Sequence, residues 1–482
     1  MGRKKRKPYL VEGIEIVDTE KNGKGIGKKD GKVFFVEKTV PGDIVDAMII
    51  GKMKKIPQGR VEQWIKRSED RVEAQCEHFG TCGGCKWQNL SYDKQLYFKE
   101  KSVRDAFDRI GHLTYENFHS ILGCEHELLY RNKVEFSFST KQWIPVEILD
   151  KGEKIDWKGA LGYHVARFFD KIVDVTTCHL HRPIINGVRN AIRDFAREHE
   201  YTFYDIREHV GFLRNVMFRT SEGSGELMMV LITGEEDSSK VDALFQHLET
   251  QFPEITSFLS IFNPKHNSSF NDLVPVVWKG PAEITEHLGD WKYRISATSF
   301  FQTNTFQAKV LYDQVRRFMG EEKVGTVYDL YCGAGSIGIY VNDLAEKVVG
   351  IEYVESAVQD AWRNCELNGL SHFNFYAGDM KKLLTEELIA KEGQADVVIT
   401  DPPRAGMDEP VVRQLLKMAP KRIIYVSCNP ATQARDLALL ADAYDIVDVQ
   451  PVDMFPQTTH VENIAYLVQK AEAASNTIET AS

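Results

Sequence analysis

The residues best placed to do chemistry lie in the last third of the chain. The stretch 423–430, IIYVSCNP, reads as a buried strand that ends in a cysteine. Ile423, Ile424, Tyr425 and Val426 are β-branched or aromatic, as a strand interior prefers. Ser427, Cys428, Asn429 and Pro430 then stop it. Cys428 therefore falls at a strand's carboxyl end, where open α/β sheets hold their ligands. Alone it would read as a small buried hydrophobe. Three other stretches change that: DLYCGAGSIG at 329–338, TDPPRAG at 400–406 and HVEN at 460–463. Together they point to a methyl donor, a base-binding loop, a nucleophile in Cys428 and a proton acceptor in Glu462.

The run D-x-Y-C-G-x-G-x-x-G lets a cofactor approach the backbone at the first strand–helix crossing. That fingerprint also fits a dinucleotide. The acid Glu352 follows Gly335 by 17 residues and ends a second strand, where it can bind ribose hydroxyls of either cofactor. FYAGDM places Asp379 to hold an adenine edge, and DVVITDPPRAG places Asp401 at the end of the fourth strand. A dehydrogenase has no need of the DPP loop. Enzymes that methylate exocyclic amines do use one, with an aromatic fourth residue to stack on the base. Here the fourth residue is Arg404, and a cysteine follows one strand later, which argues for carbon methylation. C5 of uracil is a poor nucleophile at rest. Thiolate addition at C6 makes C5 an enolate carbon that can take a methyl group, and a base must then remove the C5 proton.

The elements that must position these residues begin near Trp291. A strand, a loop (FFQTN at 300–304) and a long helix lead into alternating strands and helices, an α/β Rossmann-like methyltransferase domain over 291–482. Residues 1–67 read differently. Short strands broken by the turns KNGKGIGKKDG and VPGD predict a small β-barrel behind a basic arm. Residues 68–290 predict a central α+β domain. Within it, residues 91–112 predict a helix capped by Ser91 and ending at Gly111. YRNKVEFSFS, ALGYHV, FLRNVMFRT and ELMMVLIT read as strands, and 182–200 and 240–252 as amphipathic helices. Arg131, Lys133, Arg167 and Arg214 are candidates for RNA contact, although each singly reads more simply as an ordinary surface charge.

The chain has eight cysteines. Cys76, Cys82 and Cys85 are spaced C-x5-C-x2-C around Gly83 and Gly84, and Cys178 closes a strand-like run downstream. Zinc sites more often pair two short knuckles, and His78, His179 and His181 keep zinc open. Three close thiolates with a distant fourth suit a [4Fe–4S] cluster better. Cys332 and Cys365 read as core thiols and Cys124 as structural.

Composition is that of a globular chain, 43% hydrophobic and 27% charged over 482 residues, long enough for two or three domains. No apolar run approaches the ~20 residues that span a bilayer, and the N-terminus lacks a signal-peptide core, so a cytoplasmic location without membrane contact is expected. The net charge of −10 divides unevenly: residues 1–67 carry a net +8 and the remainder −18. A basic head on an acidic body is expected to meet a polyanion. Nothing in the sequence requires a protein partner.

DLYCGAGSIG, DPPRAG, YVSCNPATQARDL and DMFPQTTHVEN resemble the RNA uracil-5-methyltransferases, and residues 9–67 resemble the TRAM domain, a small RNA-binding barrel. The first resemblance implies S-adenosylmethionine contacts at Gln302, Tyr331, Glu352, Asp379 and Asp401, a nucleophile at Cys428 and a base at Glu462. It is closest to the iron–sulfur branch, which implies a [4Fe–4S] cluster on Cys76, Cys82, Cys85 and Cys178, and a 23S ribosomal RNA substrate from the large subunit. Three readings stand beside it: the same chemistry on tRNA, an amino-methyltransferase, and a non-catalytic RNA-binding assembly factor. Ser336, where some members carry Asn, and the long segment between Cys85 and Cys178 are departures from the family pattern.

Overall fold

The computed structural model describes residues 7–144, 159–166 and 168–471. Residues 1–6 of the basic arm and Arg167 lie outside that range. Strands β1 (Tyr9–Thr19), β2 (Gly25–Lys29), β3 (Lys32–Glu37), β4 (Ile44–Met53) and β5 (Ile56–Lys66) close into a barrel in the order β1-β2-β3-β5-β4. Alternation explains the closure. Ile14, Ile16, Phe34, Val36, Val45, Ala47 and Ile49 all point inward and are buried together. The VPGD turn does more than reverse the chain. Gly42 takes φ +92°, and Asp43 is fully buried. Its carboxylate accepts the N–H groups of Val40 and Ser68 and pairs with Arg71 at 2.8 Å, so the turn fixes where the chain leaves the barrel.

Helix α1 (Tyr92–Ala106) follows and widens into a π-helical turn, 107–111, that ends at His112 in the left-handed region. Ser91 stands at its start but makes no side-chain cap. Strand β6 (Tyr115–Phe118) comes next. It was not foreseen, because four residues of mixed polarity give no periodic signal.

The middle sheet has the order β13-β12-β11-β10-β7-β8-β9, from β7 (Lys133–Ser139), β8 (Ala160–His164), β9 (Ile172–Asp174), β10 (Leu213–Thr220), β11 (Leu227–Thr233), β12 (Ser257–Phe262) and β13 (Val276–Lys279). Helices α2 (Pro183–Glu198) and α3 (Ser238–Gln251) cover one face, packing Ile192, Phe195, Leu244 and Leu248 on Phe136, Phe218 and Met229. The other face packs Met217, Val230, Ile232 and Leu259 against the catalytic unit. Burial on both faces is why β10 and β11 read as continuous apolar runs without alternation. It also corrects one expectation. Arg214 is buried, its guanidinium donating to the carbonyls of Asn263, Lys265 and Asn267 over the Tyr204 ring, so it supports the sheet and faces no RNA.

The hairpin β14 (Glu283–Leu288) and β15 (Trp291–Ser296) leads to α4 (Thr305–Met319) and the C-terminal sheet. Its strands are β16 (Val324–Leu330), β17 (Ala345–Glu352), β18 (Phe373–Ala377), β19 (Val397–Thr400), β20 (Arg422–Ser427), β21 (Tyr444–Val452) and β22 (Glu462–Gln469). The order is β18-β17-β16-β19-β20-β22-β21-β6, with β22 antiparallel to both neighbours. The eighth strand, β6, is thus drawn from far upstream and pairs parallel with β21. Among the described residues no helix is long and apolar enough to cross a membrane.

Candidate active site

The chain runs from β16 outward through β17 to β18, then returns to the other side of β16 at β19. Ligands of open α/β sheets bind at such a switch point, outside the carboxyl ends of the strands. Register lines up the expected residues there. Leu330 pairs with Ile351 and with Thr400, so Tyr331 follows β16 between Glu352 at the end of β17 and Asp401 after β19. Glu352 pairs with Ala377, two residues before Asp379.

The glycine turn is built around a buried acid the sequence reading did not single out. Asp329, 1% exposed, accepts the Gly338 N–H at 2.9 Å. A Cβ at Gly338 would stand 2.9 Å from that same carboxylate oxygen, so the helix 336–340 can approach β16 only with glycine there. Tyr331 sits at φ +61° and is half-buried. Glu352 is fixed by the N–H groups of Gly333 and Val354, at 3.1 and 2.9 Å. Asp379 caps the short helix 380–383 by accepting from the Lys381 N–H. Gln302 is buried beside α4, its carbonyl taking a hydrogen bond from Asn132. Ser336 meets the Tyr312 hydroxyl at 3.0 Å.

Across the switch point, Ser427 pairs with Asn463 in the antiparallel β20–β22 ladder. Cys428 follows that last pair on β20 and Glu462 precedes it on β22, so both lie at the same end of the ladder, near enough for Glu462 to act on the thiol's ionisation. A buried hydrogen bond from Asn463 to Gln433, whose amide donates back to the Tyr425 and Asn463 carbonyls, locks the two strand ends together. Burial, with the carboxyls of Glu462 and Asp401 nearby, pushes the Cys428 thiol up to about 11, and the neighbouring Arg404 guanidinium opposes that shift. Burial and Asp401 hold Glu462 well above the usual carboxylate range. Burial also lifts Asp329 and Asp401 to about 7 each. Arg404 is held through its carbonyl by Asn429 and Thr432, and its guanidinium meets the His460 ring at 3.3 Å. Desolvation and the Arg404 charge push His460 down to about 4, so its imidazole is neutral near pH 7. The result is a thiol, a cation and a carboxyl within one patch, the arrangement of a nucleophile and a proton acceptor.

The segment between β21 and Glu462 is held from many sides. Lys99 and Asp453, both fully buried, pair at 2.5 Å, Tyr92 donates to Asp453, and Asn304 donates to the Met454 carbonyl. Thr459 donates to the Lys21 carbonyl of the barrel. The residues of DMFPQTTHVEN carried a signal as a motif. Their partners on α1, some 350 positions away, carried none.

Cys76, Cys82, Cys85 and Cys178 line one cavity of about 420 Å³ with His78, His179, Arg131 and Lys133. Arg131 and Lys133 thus face the cysteines. His181 is not among the lining residues; it is buried edge-on to Phe136. Among the described residues no three His, Cys, Asp or Glu side chains stand as a ready set for a metal ion. Cys332, Cys365 and Cys124 are buried.

A family model described as tRNA (uracil-5-)-methyltransferase matches residues 284–470. A Bacteroides thetaiotaomicron chain called an uncharacterized RNA methyltransferase is 45% identical over 448 residues, 92% of this chain and 98% of its own. A Porphyromonas gingivalis chain of the same description is 43% identical over 95% of this chain and 100% of its own. The crystal structure of Pyrococcus abyssi tRNA (uracil-54, C5)-methyltransferase in complex with S-adenosyl-L-homocysteine superimposes with a TM-score of 0.72 at 28% identity, covering 94% of this chain and all of that one.

Proposed function

The chain belongs to the RNA (uracil-5-)-methyltransferase family, and from that premise we propose that it methylates C5 of a uridine through a covalent Cys428–C6 adduct. The observation that carries the reading is the end of the β20–β22 ladder, where Cys428 and Glu462 flank the last pair, Ser427–Asn463, and where Asp401 and Arg404 are near enough to act on the thiol. The Cys428 thiolate adds to C6, and the C5–C6 π electrons move into the C4 carbonyl as an enolate. When bound, S-adenosylmethionine supplies the electrophilic methyl group that C5 takes. Glu462 then accepts the C5 proton, the C–H electrons restore the C5–C6 double bond, and the C6–S bond breaks to return the thiolate. The DPP loop with Arg404 holds the uracil, which must leave its stack to reach the cysteine. Tyr331, Glu352, Asp379, Asp401 and Gln302 are the residues for the cofactor.

The basic barrel is the RNA-binding, TRAM-like element of this reading; its Lys21 touches Thr459, one residue from His460. The four cysteines suit a [4Fe–4S] cluster. All four line one cavity, and three close thiolates with a distant fourth suit a cluster better than the paired short knuckles of zinc sites. Arg131 and Lys133 on its wall would offset thiolate charge. Metal and sulfide analysis of anaerobically purified protein separates the two.

For substrate we propose 23S ribosomal RNA of the large subunit. A specific observation favours tRNA as the second reading: the Pyrococcus abyssi enzyme, named for tRNA, matches this chain over nearly its whole length, so the barrel and cysteine segment do not by themselves set ribosomal RNA apart. Nucleoside mass analysis of ribosomal RNA and tRNA from cells with and without the gene decides. Loss of 5-methyluridine from large-subunit RNA is expected; loss from tRNA alone transfers the chemistry to tRNA; no loss from either overturns the function.

A further inference from the structure

Gln95 is 1% exposed and spends its whole amide on two other segments. Its Nε2 donates to the carbonyls of Trp87 and Leu90, at 3.0 and 2.9 Å, and to Oε1 of Gln457 at 3.1 Å. Its Oε1 accepts the Gln457 N–H at 2.9 Å. Gln457 sits in the left-handed region at φ +68°, a conformation that needs support in a non-glycine residue. Its carbonyl in turn accepts the N–H groups of Lys86 and Trp87, at 2.8 and 3.1 Å.

Lys86 and Trp87 directly follow Cys85. The next residue, Gln88, donates to the Cys85 sulfur at 3.2 Å and accepts the Cys76 N–H at 3.1 Å. Tyr130, fully buried, donates to the Pro456 carbonyl. Gln88, Gln95 and Gln457 all line a second cavity of about 630 Å³. A continuous path of hydrogen bonds therefore runs from two of the four clustered cysteines, through Gln88 and the 85–90 loop, into Gln457. Five residues later the chain reaches Glu462. Between them Thr458 bonds Phe455 and receives the His460 N–H, which leaves little slack.

We propose that the cysteine-lined pocket sets the position of Glu462 through Gln95 and Gln457, and that Gln95 is a positioning residue for removal of the C5 proton. The inference rests on the assignment of Glu462 as base. It gives the cysteine segment a task inside the catalytic cycle, acting on the second half of the reaction. Thiol addition is not its target, because Cys428 follows β20 and the path through Gln95 and Gln457 enters the chain on the 457–462 segment.

The test follows the covalent protein–RNA adduct on denaturing gels, with unmodified ribosomal RNA and tRNA transcripts and the full-length protein. Gln95→Ala is expected to lower turnover about 10–100-fold and raise the steady-state adduct fraction, with RNA affinity and the rate of adduct formation within about twofold of the parent. Gln95→Glu keeps the acceptor for the Gln457 N–H but loses the donors, and should fall between. Cys85→Ser should raise the adduct fraction too, and the double variant should add little to either single change, since residues on one path are non-additive. Thermal melts give the folded fraction of each variant. Overturning results are an unchanged adduct fraction in both Gln95 variants, losses that merely track the folded fraction, or full additivity of Cys85→Ser with Gln95→Ala. Glu462→Gln is the control. If it too fails to accumulate adduct, the base assignment has failed and not the path alone.

Discussion

Replacing Arg404 by alanine removes the one cation that favours the Cys428 thiolate. The thiol lies near 11, chiefly through burial, so near pH 8 only about one thiol in a thousand is charged. An opposite charge close by favours an ionised group by about 1.4–4 kcal/mol. Arg404 is solvent-exposed, so screening takes its share to the lower end, about 1.5 kcal/mol or roughly tenfold. Adduct formation in Arg404→Ala should then be about tenfold slower at every pH. In both proteins kcat/KM should climb with pH between 7 and 9, approaching about tenfold per unit, because it reports ionisation in the free enzyme. Glu462 acts in the same direction, since its carboxyl is also held protonated and must lose its proton to serve as base. Arg404→Lys keeps the charge but loses the planar fork and should lie between. Rapid-quench measurement of adduct against pH reads all three. An Arg404→Ala variant that forms adduct at the parental rate, or a parental profile flat from pH 7 to 9, would refute the electrostatic reasoning.

Cys428→Ala should form no adduct and no product, whereas Glu462→Gln should form adduct that accumulates; equal turnover in the latter removes Glu462 from the mechanism. Asp329 is buried with its ionisation pushed up to about 7, so the native state holds its proton and stability falls as pH rises from the ordinary carboxylate range through 7. Asp329→Asn should therefore melt higher than the parent at pH 8, by up to about 4 kcal/mol, with the gap closing toward pH 4; a constant gap contradicts this. Lys99→Met strands a buried carboxylate and should cost about 3–5 kcal/mol, while Lys99→Met with Asp453→Asn recovers part of the loss, as thermal melts of the single and double variants will tell.

The strand ends that carry Asp401, Cys428 and Glu352 were legible because buried parallel strands are uninterrupted apolar runs, and the residue that stops each run lies at the ligand crevice. The barrel was legible from alternation and turns. Other features left no local trace. β6 is too short to show a period and owes its place to pairing with β21, over 300 positions away. Arg214 and Arg219 look like surface charges in one dimension, and only a sheet buried on both faces makes their guanidiniums internal. Tyr92, Gln95 and Lys99 share one face of α1 at helical spacing, but what they grip lies in the 453–457 segment. Asp329 was visible as the first letter of the glycine motif; its role as the ligand of Gly338 needed the close helix–strand approach.

The most direct measurement uses RNA labelled with tritium at C5 of its uridines, incubated with the protein and S-adenosylmethionine. Methylation at C5 through Cys428 predicts tritium release to water in one-to-one proportion with methyl transfer, and neither in Cys428→Ala. Methyl transfer without tritium release, or release and transfer that survive loss of Cys428, would contradict it.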